Sequence, residues 1–347
     1  MNDPITKRLR IAAIIQETAD AKTFIVEPLD GWIPVYRPGQ FLTLIFQNHL
    51  GEQRRSFSIS SSPDTDPQLS FTVKKLDNGE FSRYLIYKAK TGDVLKTSGI
   101  SGFFVLPEDT KGKQFCFLAA GSGITPCFSL IKTLLKTTDV QMILLYSNRS
   151  ETDTIFYEEL KLLRDAYAGR LLIHFMFSNH PQVLQKRLSH WVLTHLVAQH
   201  LPVQIRKDTL FYICGPYDYM LMADISLKSN GVKGTQIIKE DFYPLPRLVK
   251  PKPPDLDAHK VTIHIGSLVR ELEVQYPNTI TATGKRAGLT LPYSCESGQC
   301  GSCVATCTSG KIWMAYNEVL TDEEVAKGRV LTCQGYPIGG DAIIVFE

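Results

Sequence analysis

The sequence predicts a multidomain β + α/β + α+β architecture, and three observations carry that prediction. From Arg8 to about Leu106 the chain shows short β-rich runs broken by Gly, Pro, Asp and Asn. From Gln114 strand-like runs alternate with helical periodicity, and beyond a proline-rich stretch a hairpin pattern leads into clustered cysteines. A chain of 347 residues also exceeds what one hydrophobic core usually serves.

In the first region, residues 1–108, the runs Thr23 to Val26, Phe41 to Phe46, Ser56 to Ile59 and Leu69 to Lys74 are separated by turn residues. Many short strands punctuated in this way predict a small antiparallel barrel. In the second, residues 109–243, the runs Phe115 to Ala119, Met142 to Tyr146, Leu171 to Phe177 and Leu210 to Ile213 alternate with helical segments. Ile124, Phe128, Ile131 and Leu135 share one helical face, and Phe156, Leu160, Leu163 and Tyr167 share another. That alternation predicts a parallel α/β sheet. The stretch YPLPRLVKPKPP holds five prolines, which cannot continue a helix or central strand and favour a stiff connector, placed at residues 244–258. The last region, residues 259–347, opens with VTIHIGSLVRELEV, which reads as a β-hairpin.

Composition narrows the function. With 44% apolar and 21% charged residues the chain is globular, and a net charge of +3 without Lys/Arg clusters among aromatics argues against nucleic acid. The N-terminal MNDPITKRLRIAAIIQET lacks the apolar core of a signal peptide, and no later run has the length of a membrane span. A cytoplasmic protein is the expectation. Eight cysteines in a reducing compartment are then ligands, catalytic groups or core fillers rather than disulfides.

Their spacing selects among these roles. Cys295-x4-Cys300-x2-Cys303, with 29 residues separating Cys303 from Cys333, is the plant-type [2Fe-2S] pattern, a loop wrapping the cluster and a distant fourth ligand closing it. Gly298 and Gly301 lie inside that loop, where glycines let backbone N–H groups approach sulfur closely and allow turns with φ > 0. Structural zinc is the alternative, but zinc sites usually pair two such knuckles and only one is present. Cys307, Cys116 and Cys127 are expected to be small buried apolar side chains outside the ligand set.

AAGSGITP, from Ala119 to Pro126, follows a strand and opens a helix, as a phosphate-cradling turn should. Pro126 stands where a GxGxxG fingerprint has its third Gly, and Pro suits the first turn of a helix. The turn is therefore of another type.

With these motifs in this order, nearly all of Arg8 to Glu347 resembles the ferredoxin-NADP reductase superfamily with a C-terminal plant-type ferredoxin domain. Within it the chain looks most like the reductase components of bacterial oxygenases, such as that of phenylacetyl-CoA epoxidase. The resemblance implies a flavin-binding antiparallel β-barrel, a nucleotide-binding α/β domain and a β-grasp-like ferredoxin domain. Arg55-Ser56-Phe57-Ser58 matches the family's flavin signature, which implies Arg55 at the flavin pyrophosphate, Phe57 on the isoalloxazine and Ser58 near its N5 edge. Gly79, Ser82 and Leu85 match the second flavin element, and FAD is implied over FMN. Gly121, Gly123 and Thr125 match the nicotinamide-binding turn. Cys214, Gly215 and Pro216 match a CGP motif beside the nicotinamide. Tyr146 to Arg149 resembles the segment that contacts adenosine, and Glu240-Asp241-Phe242 the end of the nucleotide domain beside the flavin. Ser58, Cys214 and Glu240 are the implied catalytic residues. Where relatives that prefer NADP often carry Ser-Arg, this chain has Ser178-Asn179-His180. Arg149, Lys186 or Arg187 could supply the missing cation, so the choice between NADH and NADPH stays open.

The expected function follows from electron count. Nicotinamide gives two electrons as hydride, a [2Fe-2S] cluster takes one at a time, and a flavin handles both. The resemblance implies an NAD(P)H-dependent reductase passing electrons through FAD and the cluster to a diiron or Rieske oxygenase component. Two alternatives are a reductase for another redox acceptor, such as a hybrid-cluster protein, and a redox-sensing module.

Overall fold

The computed structural model describes residues 6–49, 51–182, 186–202, 206–242 and 251–346. It divides into two compact units, Lys7–Ile100 with Phe104–Tyr243, and Pro244–Glu347 with Ser101–Phe103 and Met1–Thr6.

The first unit contains two sheets. β1 (Lys7–Thr18), β2 (Ala21–Pro28), β3 (Phe41–Asn48), β4 (Gly51–Ser58), β5 (Leu69–Lys74) and β6 (Val94–Ser101) form a sheet in the order β4-β3-β6-β1-β2-β5. Strand alternation builds its core: Leu9 and Ile11 are fully buried, while Arg8 and Arg10, alternating with them, face out to Asp30 and Glu27. The two edges meet where Ile59 bridges Phe71 and the Ser60 N–H donates to the Ser70 carbonyl at 2.9 Å, giving the predicted barrel. α1 (Glu80–Tyr87) buries Phe81, Ser82, Leu85 and Ile86, the i, i+4 stripe of a helix packed on one side.

β7 (Gln114–Ala120), β8 (Met142–Asn148), β9 (Leu171–Phe177), β10 (Thr209–Cys214) and β11 (Ile237–Glu240) form the second sheet, parallel throughout, in the order β11-β10-β7-β8-β9. α2 (Ile124–Thr137) and α3 (Tyr157–Ala166) cover one face, with Phe128 stacked on Phe156 at 4.2 Å. α4 (His190–His200) and α5 (Tyr217–Ser229) cover the other. Phe156 belongs to the predicted apolar face of α3 but precedes the helix with φ 59°. The chain runs β7, β8, β9 to one side and then returns to β10 on the other side of β7. That reversal opens a crevice at the carboxyl ends of β7 and β10, where α/β folds bind ligands.

The barrel and the α/β sheet are fastened together by side chains. Ser129 donates to the Ser61 carbonyl at 2.6 Å, Ser62 and Thr133 share a hydrogen bond of 2.6 Å, and Lys132 pairs with Asp66 at 2.5 Å. These bonds make one compact unit of two regions, each with its own core.

In the second unit β12 (His259–Ile265) and β13 (Leu268–Val274) form the predicted hairpin. With β14 (Val304–Ser309), β16 (Arg329–Leu331) and β18 (Ala342–Phe346) they make a mixed sheet in the order β13-β12-β18-β14-β16, with β12 and β18 parallel. β15 (Ile312–Met314) and β17 (Gly335–Pro337) form a separate ribbon. α6 (Ile280–Arg286) seats Ile280 in the core beside Val261 and Ile344, and α7 (Asp322–Ala326) is closed by a capping box between Thr321 and Glu324. Residues 251–258 of the predicted connector contain no helix or strand, and residues 243–250 lie outside the described residues.

Candidate cofactor cleft and four-cysteine site

β4 ends at the mouth of the barrel, and alternation along it buries Arg54 against Glu52 at 2.8 Å while turning Arg55 the other way. A cleft of about 450 Å³ opens there. Its wall brings together Arg55 to Ser58 from β4, Gly79 and Ser82 from the start of α1, and Thr125 from the start of α2. The Arg55 guanidinium lies 5.3 Å from the Phe81 ring centroid. The Ser82 hydroxyl accepts from the Leu76 N–H and donates to the Gly79 carbonyl, both at 3.1 Å, so it shapes the loop that leads into α1.

The turn after β7 lies at the predicted crevice. Gly121 has φ +54° and its carbonyl accepts from the Tyr146 hydroxyl at 3.0 Å. Gly123 packs so closely on the end of β10 that a Cβ there would stand 2.1 Å from the Cys214 carbonyl oxygen and 2.8 Å from the Gly215 nitrogen. Thr125 is 1% exposed and its hydroxyl has no partner among the described residues, an orphan that a bound polar group would satisfy.

Across this crevice the Ser58 hydroxyl donates to the Glu240 carboxyl at 3.0 Å. Burial pushes the Glu240 carboxyl up to about 8, against the opposing Ser58 hydrogen bond. Burial, reinforced by Glu240, likewise holds the Cys214 thiol well above its ordinary value, so it stays a thiol at neutral pH. Pro216 caps α5, and Arg149 is exposed beyond the end of β8. They do not line the cleft, and neither do Gly121, Gly123, Cys214, Gly215 or Glu240. The Asn179 N–H donates to the Arg149 carbonyl at 3.2 Å, which places Asn179 beside that arginine.

Lys74 is a cleft residue that the motifs did not single out. Its ammonium would stand 3.5 Å from a Cβ on Gly121, and burial lowers its pKa. The signal was the two-residue alternation of LSFTVK, which turns Thr72 and Lys74 to the same wall.

The four cysteines occupy a loop and the turn after β16. Gly298 and Gly301 have φ +80° and +73°, as predicted. The Cys295 N–H points at the Cys300 sulfur at 3.5 Å and the Ser297 N–H at the Cys295 sulfur at 3.4 Å. The hydrogen bond from Cys300, helped by Ser297 and the Gln299 amide, lowers the Cys295 thiol to about 5 against the opposing effect of burial. Cys303 and Cys333 are buried and hydrogen-bonded to each other, and Thr332 ties the two segments by donating its N–H and hydroxyl to the Cys303 carbonyl at 3.1 and 2.9 Å. Cys307 is apart from this set on β14, where its thiol donates to the Ser309 carbonyl at 3.3 Å. It is half-buried rather than buried, because the pairing of β14 with β16 covers only Val304 to Thr306 and ends before it. Cys116 and Cys127 are buried as expected.

The residues fit the groups their motifs imply. A cleft with two cations, an orphaned hydroxyl and a glycine cradle suits a phosphate-bearing flavin and nucleotide, and two thiol pairs, Cys295 with Cys300 and Cys303 with Cys333, with amide donors to sulfur suit an iron-sulfur cluster. Family models match in the same order: an oxidoreductase FAD-binding domain over residues 21–105, an oxidoreductase NAD-binding domain over 117–224 and a 2Fe-2S iron-sulfur cluster binding domain over 263–337. The ferredoxin reductase component of 3-ketosteroid-9-alpha-monooxygenase from Rhodococcus rhodochrous is 31% identical over 342 residues, covering 95% of this chain and 94% of that one. The chain belongs to the oxygenase ferredoxin reductase family. A component of 1,2-phenylacetyl-CoA epoxidase from Escherichia coli strain K12 is 32% identical over 349 residues, covering 98% of this reductase and 97% of that protein. The solved structure of phthalate dioxygenase reductase, 24% identical with a TM-score of 0.58, covers 98% of this chain and 97% of that one and shares its fold. This reductase is thus an oxidoreductase with FAD-binding, NAD-binding and [2Fe-2S] domains. Among the described residues no helix is long and apolar enough to cross a membrane.

Proposed function

We propose that this reductase accepts hydride from NAD(P)H in the cleft at Ser58, with Cys214 behind it, and delivers single electrons, by way of Cys295, Cys300, Cys303 and Cys333, to the oxygenase component of a multicomponent enzyme. The observation that carries the reading is the Ser58 to Glu240 hydrogen bond of 3.0 Å, which joins the end of the barrel to the end of the nucleotide sheet at the cleft. When bound, FAD supplies the exchange between two-electron and one-electron chemistry, and the cluster supplies one-electron storage.

The chain's own residues bind, orient and hold protons. Arg55 offers a guanidinium to a flavin phosphate, Phe57 a flat face to the ring, and Ser56, Gly79 and Ser82 the close-fitting wall. Gly121, Gly123 and Thr125 receive the nucleotide's phosphates, with Lys74 as a second cation. Gly215 and Pro216 lead into α5, whose N-terminus favours negative charge, and Arg149 takes the adenosine side. A neutral Glu240 at pH 7 and the Ser58 hydroxyl form an uncharged proton-bearing pair at the reacting edge. Cys214, kept as a thiol, covers the nicotinamide without acting as a nucleophile. We place the functional divisions at residues 1–108, 109–243, 244–258 and 259–347.

The test is anaerobic rapid mixing of the loaded full-length protein with NAD(P)H, followed at the flavin and cluster absorption bands. The reading expects the flavin band to bleach first and the cluster band second. Bleaching of the cluster band with no prior flavin change would refute it.

A further inference from the structure

β9 is the edge strand of the parallel sheet, and its two-residue alternation turns His174 and Met176 toward α4. The last residue of α4 is His200. The two histidines meet with Nε2 to Nε2 at 3.2 Å, ring centroids 5.0 Å apart and planes inclined by 48°. None of this belongs to the cofactor cleft.

We propose that His174 and His200 form a binding site for one divalent ion of the zinc, nickel and copper group, completed by water. Two imidazole nitrogens bound to one such ion at about 2.0–2.1 Å lie about 3.3 Å apart in tetrahedral and about 2.9 Å apart in right-angle geometry. The observed 3.2 Å falls between these values. Imidazole binds metal in its neutral form. Burial lowers the pKa of His174 first, and the charge of His200 second, while burial and then His195 lower that of His200, so both rings are ready ligands at neutral pH. Without metal, one Nε2–H donates to the other Nε2; when metal binds, that proton moves through solvent to Nδ1 of the same ring, so both rings stay neutral and both Nε2 lone pairs face the ion. A cavity of about 180 Å³ lined by His174, His195 and Trp191 together with apolar neighbours adjoins His174. His195 stacks on Trp191 with centroids 5.6 Å apart and planes at 4°, placing an indole at the mouth as an optical reporter.

The experiment uses full-length protein carrying FAD and cluster, so that the cluster cysteines are already filled. NiCl2 is titrated in, with bound nickel measured by equilibrium dialysis and Trp191 followed by fluorescence. One equivalent should bind with Kd below about 100 µM, and His174→Gln and His200→Gln should each weaken it by about tenfold or more. Gln retains a hydrogen bond to the remaining imidazole, so unchanged flavin and cluster absorption in these variants separates lost ligation from lost folding. Trp191→Phe should abolish the fluorescence change and keep the nickel. Wild-type protein that takes up no nickel, or Gln variants that bind it as tightly as wild type, would overturn the proposal.

Discussion

The Ser58 hydroxyl donates a hydrogen bond of 3.0 Å to the carboxyl of Glu240 across 182 residues of sequence. Ser58 ends β4 of the barrel and Glu240 ends β11 of the nucleotide sheet. Because burial lifts Glu240 to about 8, the folded chain holds a proton there that the unfolded chain releases near 4.5, the ordinary value. The sign of the linkage follows. This group's contribution to stability is full below about 4.5 and is lost as pH rises toward about 8, at about 1.4 kcal/mol per pH unit at most.

Glu240→Gln should therefore flatten the fall in Tm between pH 5 and about 8 and remove a transition near pH 8 in the rate of flavin reduction. Ser58→Ala should slow that rate by about a hundredfold with flavin still bound. Thermal melts and rapid mixing across pH measure both. An identical pH profile in wild type and Glu240→Gln would rule out the carboxyl as the titrating group.

Cys300→Ser should lose the visible absorption of the cluster, while Cys307→Ser keeps it. Cys307 spends its thiol on the Ser309 carbonyl at 3.3 Å, apart from the four. Absorption spectra of the two purified variants decide this. Loss in both would place Cys307 in the ligand set.

Much of this was legible in the sequence because it is local. Cysteine spacing, the glycines at Gly298 and Gly301, and the strand-turn-helix order around Gly121 each depend on a few neighbouring residues. What the sequence concealed is long-range. Lys74 and Gly121 are brought together by the folding of two regions, and the joining of barrel and nucleotide sheet through Ser62–Thr133 and Lys132–Asp66 has no local signature. Helix limits slipped for a related reason: Phe156 keeps the helical apolar period and stacks on Phe128, while its backbone is left-handed at φ 59°.

Gly123→Ala should lower kcat/KM for NAD(P)H by about a hundredfold, since displacing a positioning turn by about 1 Å can cost that much. The added Cβ would meet the Cys214 carbonyl oxygen at 2.1 Å, and backbone has no rotamer to relieve it. Gly234→Ala, with nothing within 4 Å, is the control and should match wild type. Equal kinetics for all three proteins would show that the turn does not hold the nucleotide.

Asn179→Arg should shift the ratio of kcat/KM toward NADPH by about tenfold, equivalent to about 1.4 kcal/mol. Its backbone already bonds the Arg149 carbonyl at 3.2 Å, so a guanidinium there would join a second cation. Steady-state kinetics with both nucleotides measure the shift. An unchanged ratio would move the 2'-phosphate elsewhere.

Electrons that enter at the cleft and leave at the four cysteines must pass from one compact unit to the other. Lys7–Ile100 and Phe104–Tyr243 carry the cores of the barrel and the nucleotide sheet, and the four cysteines lie wholly beyond them. A chain ending at residue 250 should fold, bind FAD and still reduce ferricyanide with NAD(P)H, because that small acceptor takes electrons directly from an exposed flavin edge. It should fail to reduce the oxygenase component that the full-length protein reduces. Both rates are measured on both proteins at equal flavin loading. Loss of ferricyanide reduction with FAD still bound would contradict the cleft as the entry point, and reduction of the oxygenase component by the shortened chain would contradict the cysteines as the exit.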